Sequence, residues 1–251
     1  MDRSVSASSF TGSGARVAPL VVAIDGPSAS GKSTVARRLA RRLGIPHIDT
    51  GAMYRALTWL ALEEGIDVGD RAALEALARN ATIRLAVGAE RGQSTVVSIN
   101  GRDLGRELRS TSVTRAVSAV SAVPGVRRVM VRLQRSLARE GGVLEGRDTA
   151  TAVVPGAPVK VFLTASAEER TRRRGNELGL RHSIDEVQRD LARRDALDST
   201  RPVSPLRPAA DAVLLDTSGL SISEVVDRIA ALVVEVAEEG GRSHAAEATE
   251  A

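Results

Sequence analysis

Cysteine is absent from the 251-residue chain, which excludes disulfides, thiolate metal sites and a thiol nucleophile. Aromatic residues make up only 2%, so a core must be filled by Ala, Val, Leu and Ile. The three histidines, His47, His182 and His244, have no ligand-like spacing and read as ordinary side chains. No apolar run reaches the ~18 residues of a membrane span. Met1 to Arg16 is Ser/Gly-rich and lacks the apolar block of a secretory signal. These absences lead us to expect a cytoplasmic protein without membrane contact. No long apolar helix seam stands out either, so a monomer is expected.

Lysine is scarce too. Of 35 basic residues only Lys32 and Lys160 are lysine, against 31 acidic residues and a net charge of +4. The high pI of 10.4 raises nucleic-acid binding. Basic and acidic residues are interleaved, however, without a basic block or an aromatic platform, so a solvated Arg-rich surface and no nucleic-acid partner are expected. Hydrophobic residues, at 43%, suffice for a buried core.

Residues 1–17 read as a flexible leader, 18–237 as one domain and 238–251 as a charged tail. Leu20 to Ile24 is a continuous apolar run, as in a strand buried on both faces. A helix over Ser33 to Leu43 follows, with Gly44 past its end. Ile45 to Ile48 is a second strand, and Asp49 or Thr50 caps a helix reaching Leu62. Asp70 caps another over Arg71 to Arg79. Thr82 to Val87 and Thr95 to Ile99 then read as strands, with Asn100-Gly101 a hairpin signal, so 82–104 is an antiparallel insert. Helices over Ser112 to Val120 and Val126 to Arg139 are broken apart by Pro124-Gly125. Val143-Leu144, Val159 to Leu163 and Ala212 to Leu215 complete the strands, and Val225 to Val236 is the closing helix. Ser166…Glu169, Ser183…Glu186 and Ser221…Glu224 have capping-box spacing. The fold class is α/β: a five-stranded parallel sheet flanked by helices.

Gly26-Pro27-Ser28-Ala29-Ser30-Gly31-Lys32-Ser33 matches G-x-x-x-x-G-K-[ST], between an apolar strand and an amphipathic helix. Its backbone N–H groups and the helix start, through Thr34, suit ATP phosphates. Lys32 would reach the β- and γ-phosphates, and the Ser33 hydroxyl would ligate Mg²⁺. Gly12-Ser13-Gly14 lacks this context and reads as linker.

An anionic acceptor is indicated by arginines beside turns. Arg55 follows the second strand in what reads as a first helical turn, where the dipole disfavours a cation unless an anion binds. Arg147 and Asp148 follow Gly146 at the end of the third strand; Arg147 could fork two phosphate oxygens, or the two could pair structurally. Arg194 and Asp198, four apart, read either as part of a site with Arg201 or as a helix ion pair. Arg170, Arg172, Arg173 and Arg174 crowd one helix within 168–195. They read as a lid closing over ATP phosphates or as an exposed face.

Ile24 to Ser33, Asp49-Thr50-Gly51-Ala52-Met53-Tyr54-Arg55, Glu145-Gly146-Arg147-Asp148, Ala157 to Leu163 and Arg194-Asp195 through Leu206 together resemble the bacterial-type cytidylate kinases, a branch of the nucleoside monophosphate kinases. The resemblance implies a P-loop NTPase fold, with a monophosphate-binding region at about 50–125 and a short helical lid. It implies ATP-dependent phosphorylation of CMP or dCMP with Mg²⁺, and catalytic roles for Lys32, Arg147 and Arg194. Arg170, Arg173 and Arg174 would then contact ATP. Thr50, Tyr54, Arg55, Arg147 and Arg201 would hold the acceptor, with Arg194 and Asp198 at its ribose and phosphate end. Ser118, Arg127 and Asp148 would read cytosine, and only the resemblance points to Ser118 and Arg127. Ala150 stands where the family often has Gly. The residues alone also admit a kinase for another small anion such as shikimate, or an ATP-switched nucleic-acid-binding protein.

Overall fold

The structure is a computed structural model that describes residues 19–86, 96–179 and 183–247. The expected leader (1–17), His182, and the strand ends at Val87 and Thr95 lie outside the described residues. In chain order the elements are β1 (Val21–Asp25), α1 (Lys32–Leu43), β2 (His47–Asp49), α2 (Thr50–Glu63) and α3 (Arg71–Asn80). A small sheet of β3 (Ile83–Ala86), β4 (Val96–Ile99) and β5 (Arg102–Leu104) comes next, followed by a 3-10 turn at Arg106–Arg109. The chain continues through α4 (Thr111–Ala122), α5 (Pro124–Ala138), β6 (Gly142–Gly146), a single π turn at Thr149–Val153 and β7 (Val159–Thr164). It closes with α6 (Ala167–Leu178), α7 (Ile184–Thr200), β8 (Val213–Asp216) and α8 (Ile222–Glu247).

The larger sheet has the order β2-β6-β1-β7-β8 and every pairing in it is parallel. Its central strand is the apolar run read from the sequence. Val22 and Ile24 pack under Val35 and Leu39 of α1 and Val225 and Ile229 of α8 on one face. On the opposite face Ala23 meets Ala150 and Ala157, while Ile48 and Leu144 pack on Ala138 and Val153. A second core joins α2, α3, α4 and α5 to the small sheet through Met53, Leu57, Leu74, Ile99, Val113 and Met130. Registers bring Asp25 opposite Gly146 and Asp49 opposite Glu145, so three adjacent strands end together. Ligands gather at such strand ends in open α/β sheets.

Four local expectations change. Asn100 (φ 50) and Gly101 (φ 80) are the two central residues of a tight hairpin between β4 and β5, so the turn opens a third strand that was not anticipated. The break between α4 and α5 falls at Val123, and α5 starts at Pro124 instead of Val126, because the missing N–H of Pro124 is one that a helix start leaves unused anyway. The closing helix runs on to Glu247, well past Val236, through much of the expected tail. Ala- and Glu-rich sequence flanks its Gly240-Gly241 pair, and extending an existing helix is far easier than nucleating one. Ser183 and Ser221 each exchange both capping-box bonds with their glutamates. Ser166 makes only half of its box, accepting from the Glu169 N–H while that glutamate binds Arg172 and Arg173.

Candidate active site

A cleft of about 760 Å³ opens above the carboxyl ends of β1, β2 and β6. One wall is the Gly26–Ser33 loop. Gly26 has φ +149, and a Cβ there would lie 2.1 Å from the Leu163 carbonyl oxygen, so only glycine permits this turn. The loop ends in α1, whose first N–H groups face the cleft side without side-chain caps. The Lys32 Nζ turns back to donate to the Pro27 carbonyl (2.5 Å) and the Ser30 hydroxyl (3.2 Å). Burial, then the Arg147 guanidinium, hold its pKa well below the ordinary lysine range. An anion beside Lys32 would reverse that shift.

Much of the remaining lining is built of arginines from separate elements. Arg55 of α2, Arg147 after β6, Arg194 of α7 and Arg174 of α6 all border the cleft. Arg55 donates to the Leu108 carbonyl (3.0 Å) and the Thr114 hydroxyl (3.1 Å). Its pKa is lowered to about 10, by burial first and then by Arg194, with Arg147 and Arg174 adding to the repulsion. Arg194 is lowered as well, again by burial and then by Arg147, and its Nε has no hydrogen-bond partner. These mutual shifts identify a region that would gain from a dianion. The dipole argument for Arg55 does not hold, since α2 begins at Thr50 and puts Arg55 in the second turn. It is the burial among other cations that singles Arg55 out.

Asp148 and Asp198 organise the remaining guanidinium groups. Asp148 pairs with buried Arg127 and accepts from Arg201 at 3.2 Å, while Arg127 also donates to the Ser121 carbonyl and lies 5.3 Å over the Tyr54 ring. Burial pushes the Tyr54 hydroxyl up to about 12, so it stays protonated. Asp198 binds Arg147 Nε at 2.9 Å and lies 3.7 Å from Arg201. Neither sequence-local pairing forms: Asp148 does not pair with Arg147, nor Asp198 with Arg194. Ser118 is buried and borders the same end of the cleft.

A floor of ionisable groups lies beneath Ser33. The buried Glu145 carboxylate shares a 3.0 Å hydrogen bond with His47 Nε2. Burial pushes Glu145 up, but the bonds from His47 and Ser33 and the charge of Lys32 prevail and hold it low. Asp49 caps α2 through the Ala52 N–H and is raised to about 6 by burial and by Glu145. His47 therefore belongs to the site, although its sequence position had marked it as ordinary. Alternation along β2 puts His47 on the same face as Asp49, which the register sets opposite Glu145, a signal that needed the strand pairing to be read.

Between β6 and the π turn, buried Asp25 accepts from the backbone N–H groups of Thr149 (2.9 Å) and Ala150 (2.8 Å). Ala150 has no positive φ, and its methyl packs against Ala23 and Ala157, so alanine serves where the family often has glycine.

Most of the expected site residues border this cleft, including Ser28, Ala29, Gly31, Lys32, Ser33, Thr34, Thr50 and Tyr54. Gly26, Pro27 and Ser30 shape the loop from behind. The crowded arginines of α6 separate: Arg172 and Arg173 bind Glu169, Arg174 binds Glu177 and Arg170 binds Asp195. Their repulsion is thus answered within the chain. Arg174 alone of the four borders the cleft, while Arg173 is anchored to the Thr217 hydroxyl (2.8 Å) and carbonyl (2.7 Å).

The sequence model of the family described as cytidylate kinase matches residues 22–235. A cytidylate kinase of Nocardia farcinica is 49% identical over 223 residues, covering 86% of this chain and 94% of its own length. One from Geobacillus sp. (strain WCH70) is 50% identical over 218 residues, covering 85% and 96% respectively. A bifunctional pantoate ligase/cytidylate kinase of Synechococcus sp. (strain JA-2-3B'a(2-13)) is 48% identical over 225 residues. That match covers 88% of this chain but only 42% of the bifunctional relative.

Proposed function

The chain belongs to the cytidylate kinase family, and on that premise we propose that it transfers the γ-phosphoryl group of ATP to CMP or dCMP. The observation that carries the reading is the convergence of Arg55, Arg147 and Arg194 on the one cleft that the Gly26–Ser33 loop also lines. An oxygen of the acceptor phosphate attacks the γ-phosphorus, and the bond to the ADP oxygen breaks. A phosphate monoester is already a dianion near neutral pH, so no protein base is needed. The task is to hold two anions in line and neutralise them.

Lys32 would leave its loop carbonyl for the stronger acceptor offered by ATP phosphates, and Arg55, Arg147 and Arg201 would hold the acceptor phosphate. Arg194 lies among these cations and would meet the group in transfer. Asp148, Arg127 and Ser118 would present donors and acceptors to the cytosine edge. Asp198 would meet the ribose. Mg²⁺ prefers oxygen ligands, and the residues fit it: Ser33 is open to the cleft beside a Glu145 carboxylate that stays ionised. Ser33, with ATP phosphates and water, would hold the ion, which when bound neutralises charge on the transferring group. The arginines of α6 would close the ATP side, with Arg174 the nearest of them to the cleft.

A coupled ADP assay with ATP and Mg²⁺, run over CMP, dCMP, UMP, AMP and shikimate, tests the reading. Turnover should be fastest with CMP or dCMP. Preference for another acceptor, or hydrolysis of ATP without transfer, would refute it. In the same assay Lys32→Ala should lose at least about 100-fold in kcat.

A further inference from the structure

Ser28 is the one loop residue whose three polar groups all bind distant segments. Its N–H donates to Asp195 Oδ1 of α7 at 3.0 Å, and its carbonyl accepts from Arg170 of α6 at 3.3 Å. Its hydroxyl lies 3.0 Å from Arg147, which donates to it. Arg170 closes the ring by pairing with the second oxygen of Asp195. Arg147, through Nε, returns to α7 at Asp198, three residues beyond Asp195. Two routes therefore tie α7 to the phosphate loop, one direct and one through an acceptor-site arginine. Arg194 immediately precedes the first of these anchors on α7.

From this closed circuit we infer that Asp195, with Arg170, is a positioning residue that fixes the register of α7 against the phosphate loop. The inference rests on the kinase reading above. Its consequence concerns the gap between the two substrates. Lys32 and the loop fix the ATP end, whereas Arg194, Arg201 and Asp198 sit on α7 or at its end. Each substrate has further binding groups that the clasp does not touch, such as Tyr54 and Arg127 at the base end of the acceptor. Loosening the clasp should thus spare separate binding and degrade the in-line approach. A misplacement of about 1 Å in such a geometry lowers rate on the order of 100-fold. A loss felt only in the transition state appears in kcat and kcat/KM together, with KM unchanged. The arrangement also reassigns Arg170. Its guanidinium is committed to Asp195 and the Ser28 carbonyl, so it serves ATP through the shape of the loop.

The test uses the full chain and compares Asp195→Ala, Asp195→Asn and Arg170→Met with wild type. Steady-state kinetics in ATP and CMP are measured, and thermal melts verify folding. Asp195→Ala should lose about 100-fold in kcat, with both KM values within about threefold of wild type. Asparagine can still accept from the Ser28 N–H but cannot pair with Arg170, so Asp195→Asn should recover to within about tenfold of wild type. Arg170→Met should fall in the same intermediate range, and reads the clasp should the alanine variant not fold. The inference is overturned if Asp195→Ala and Arg170→Met keep kcat within twofold. It is equally overturned if the loss appears as a raised KM for one substrate, or if asparagine is as slow as alanine. Wild type that ignores CMP removes the kinase reading and this inference with it, whereas an active wild type with unaffected variants removes only the clasp.

Discussion

At the scale of single residues, the site depends on positions where one atom more or one charge less would be felt. A Cβ on Gly146 would fall 2.6 Å from the Thr50 hydroxyl and 2.7 Å from the Thr149 methyl. Thr50 itself donates to the Glu145 carbonyl at 2.7 Å, so its hydroxyl cannot withdraw freely. Gly146→Ala should destabilise by about 1–3 kcal/mol, read as a lower urea midpoint, and should shift Arg147 enough to reduce turnover. Asp49 offers a pH prediction. Its folded pKa, about 6, lies above the ordinary aspartate value, so between about pH 4 and 6 the folded state holds the extra proton. Stability contributed by the protonated form is present below this window and is lost as pH rises through it. Asp49→Asn keeps the cap without the charge. Wild type should therefore weaken relative to that variant by on the order of 1–3 kcal/mol between pH 4 and 7, measured by denaturant unfolding at each pH. A difference that grows in the opposite direction would contradict the burial argument.

Elements were legible where local chemistry decides them. Asp70 caps α3 through the Ala73 N–H and Ser183 completes a reciprocal box, as their spacing implies. The central apolar strand and the phosphate loop announced themselves because burial on both faces and a tight turn demand particular residue types. Legibility failed where a distant partner decides. Glu169 abandons its box because two arginines on the next turn bind it more strongly than one N–H would. The strand β5 is three residues long and is defined by its pairing with β4, which no short window reveals. The turn between them yields a prediction at this scale. Asn100 sits at φ 50, and its side-chain oxygen accepts from the Thr82 N–H at 2.9 Å. Asn100→Ala loses that bond and must hold a left-handed conformation, which together should cost about 1–3 kcal/mol in urea unfolding. Because the small sheet packs on α2 through Val97 and Ile99, KM for the acceptor should rise as well.

Over the whole molecule, the arginines of the cleft come from α1, α2, the 3-10 turn, α5, the turn after β6, α6, α7 and the residue that ends α7, so their convergence follows from topology and not from spacing. The sequence supplied Arg147 and Arg194 with plausible local partners in Asp148 and Asp198, and the fold forms neither pair, giving Asp198 to Arg147 instead. What results is a concentration of like charge held at the expense of stability. Arg194 shows this most plainly: it is 7% exposed, its Nε lacks a partner, and burial and Arg147 both disfavour its charge. Replacing it with methionine keeps much of the volume and removes the repulsion. Arg194→Met should therefore raise the unfolding free energy by roughly 1 kcal/mol at pH 7, while kcat falls by at least about 100-fold. The melting-temperature rise produced by CMP together with a non-hydrolysable ATP analogue should shrink in the same variant, because less cationic repulsion remains for the phosphates to relieve. If Arg194→Met were instead destabilising with normal turnover, the guanidinium would be a support of the fold, and the electrostatic account of the cleft would have to be rebuilt without it.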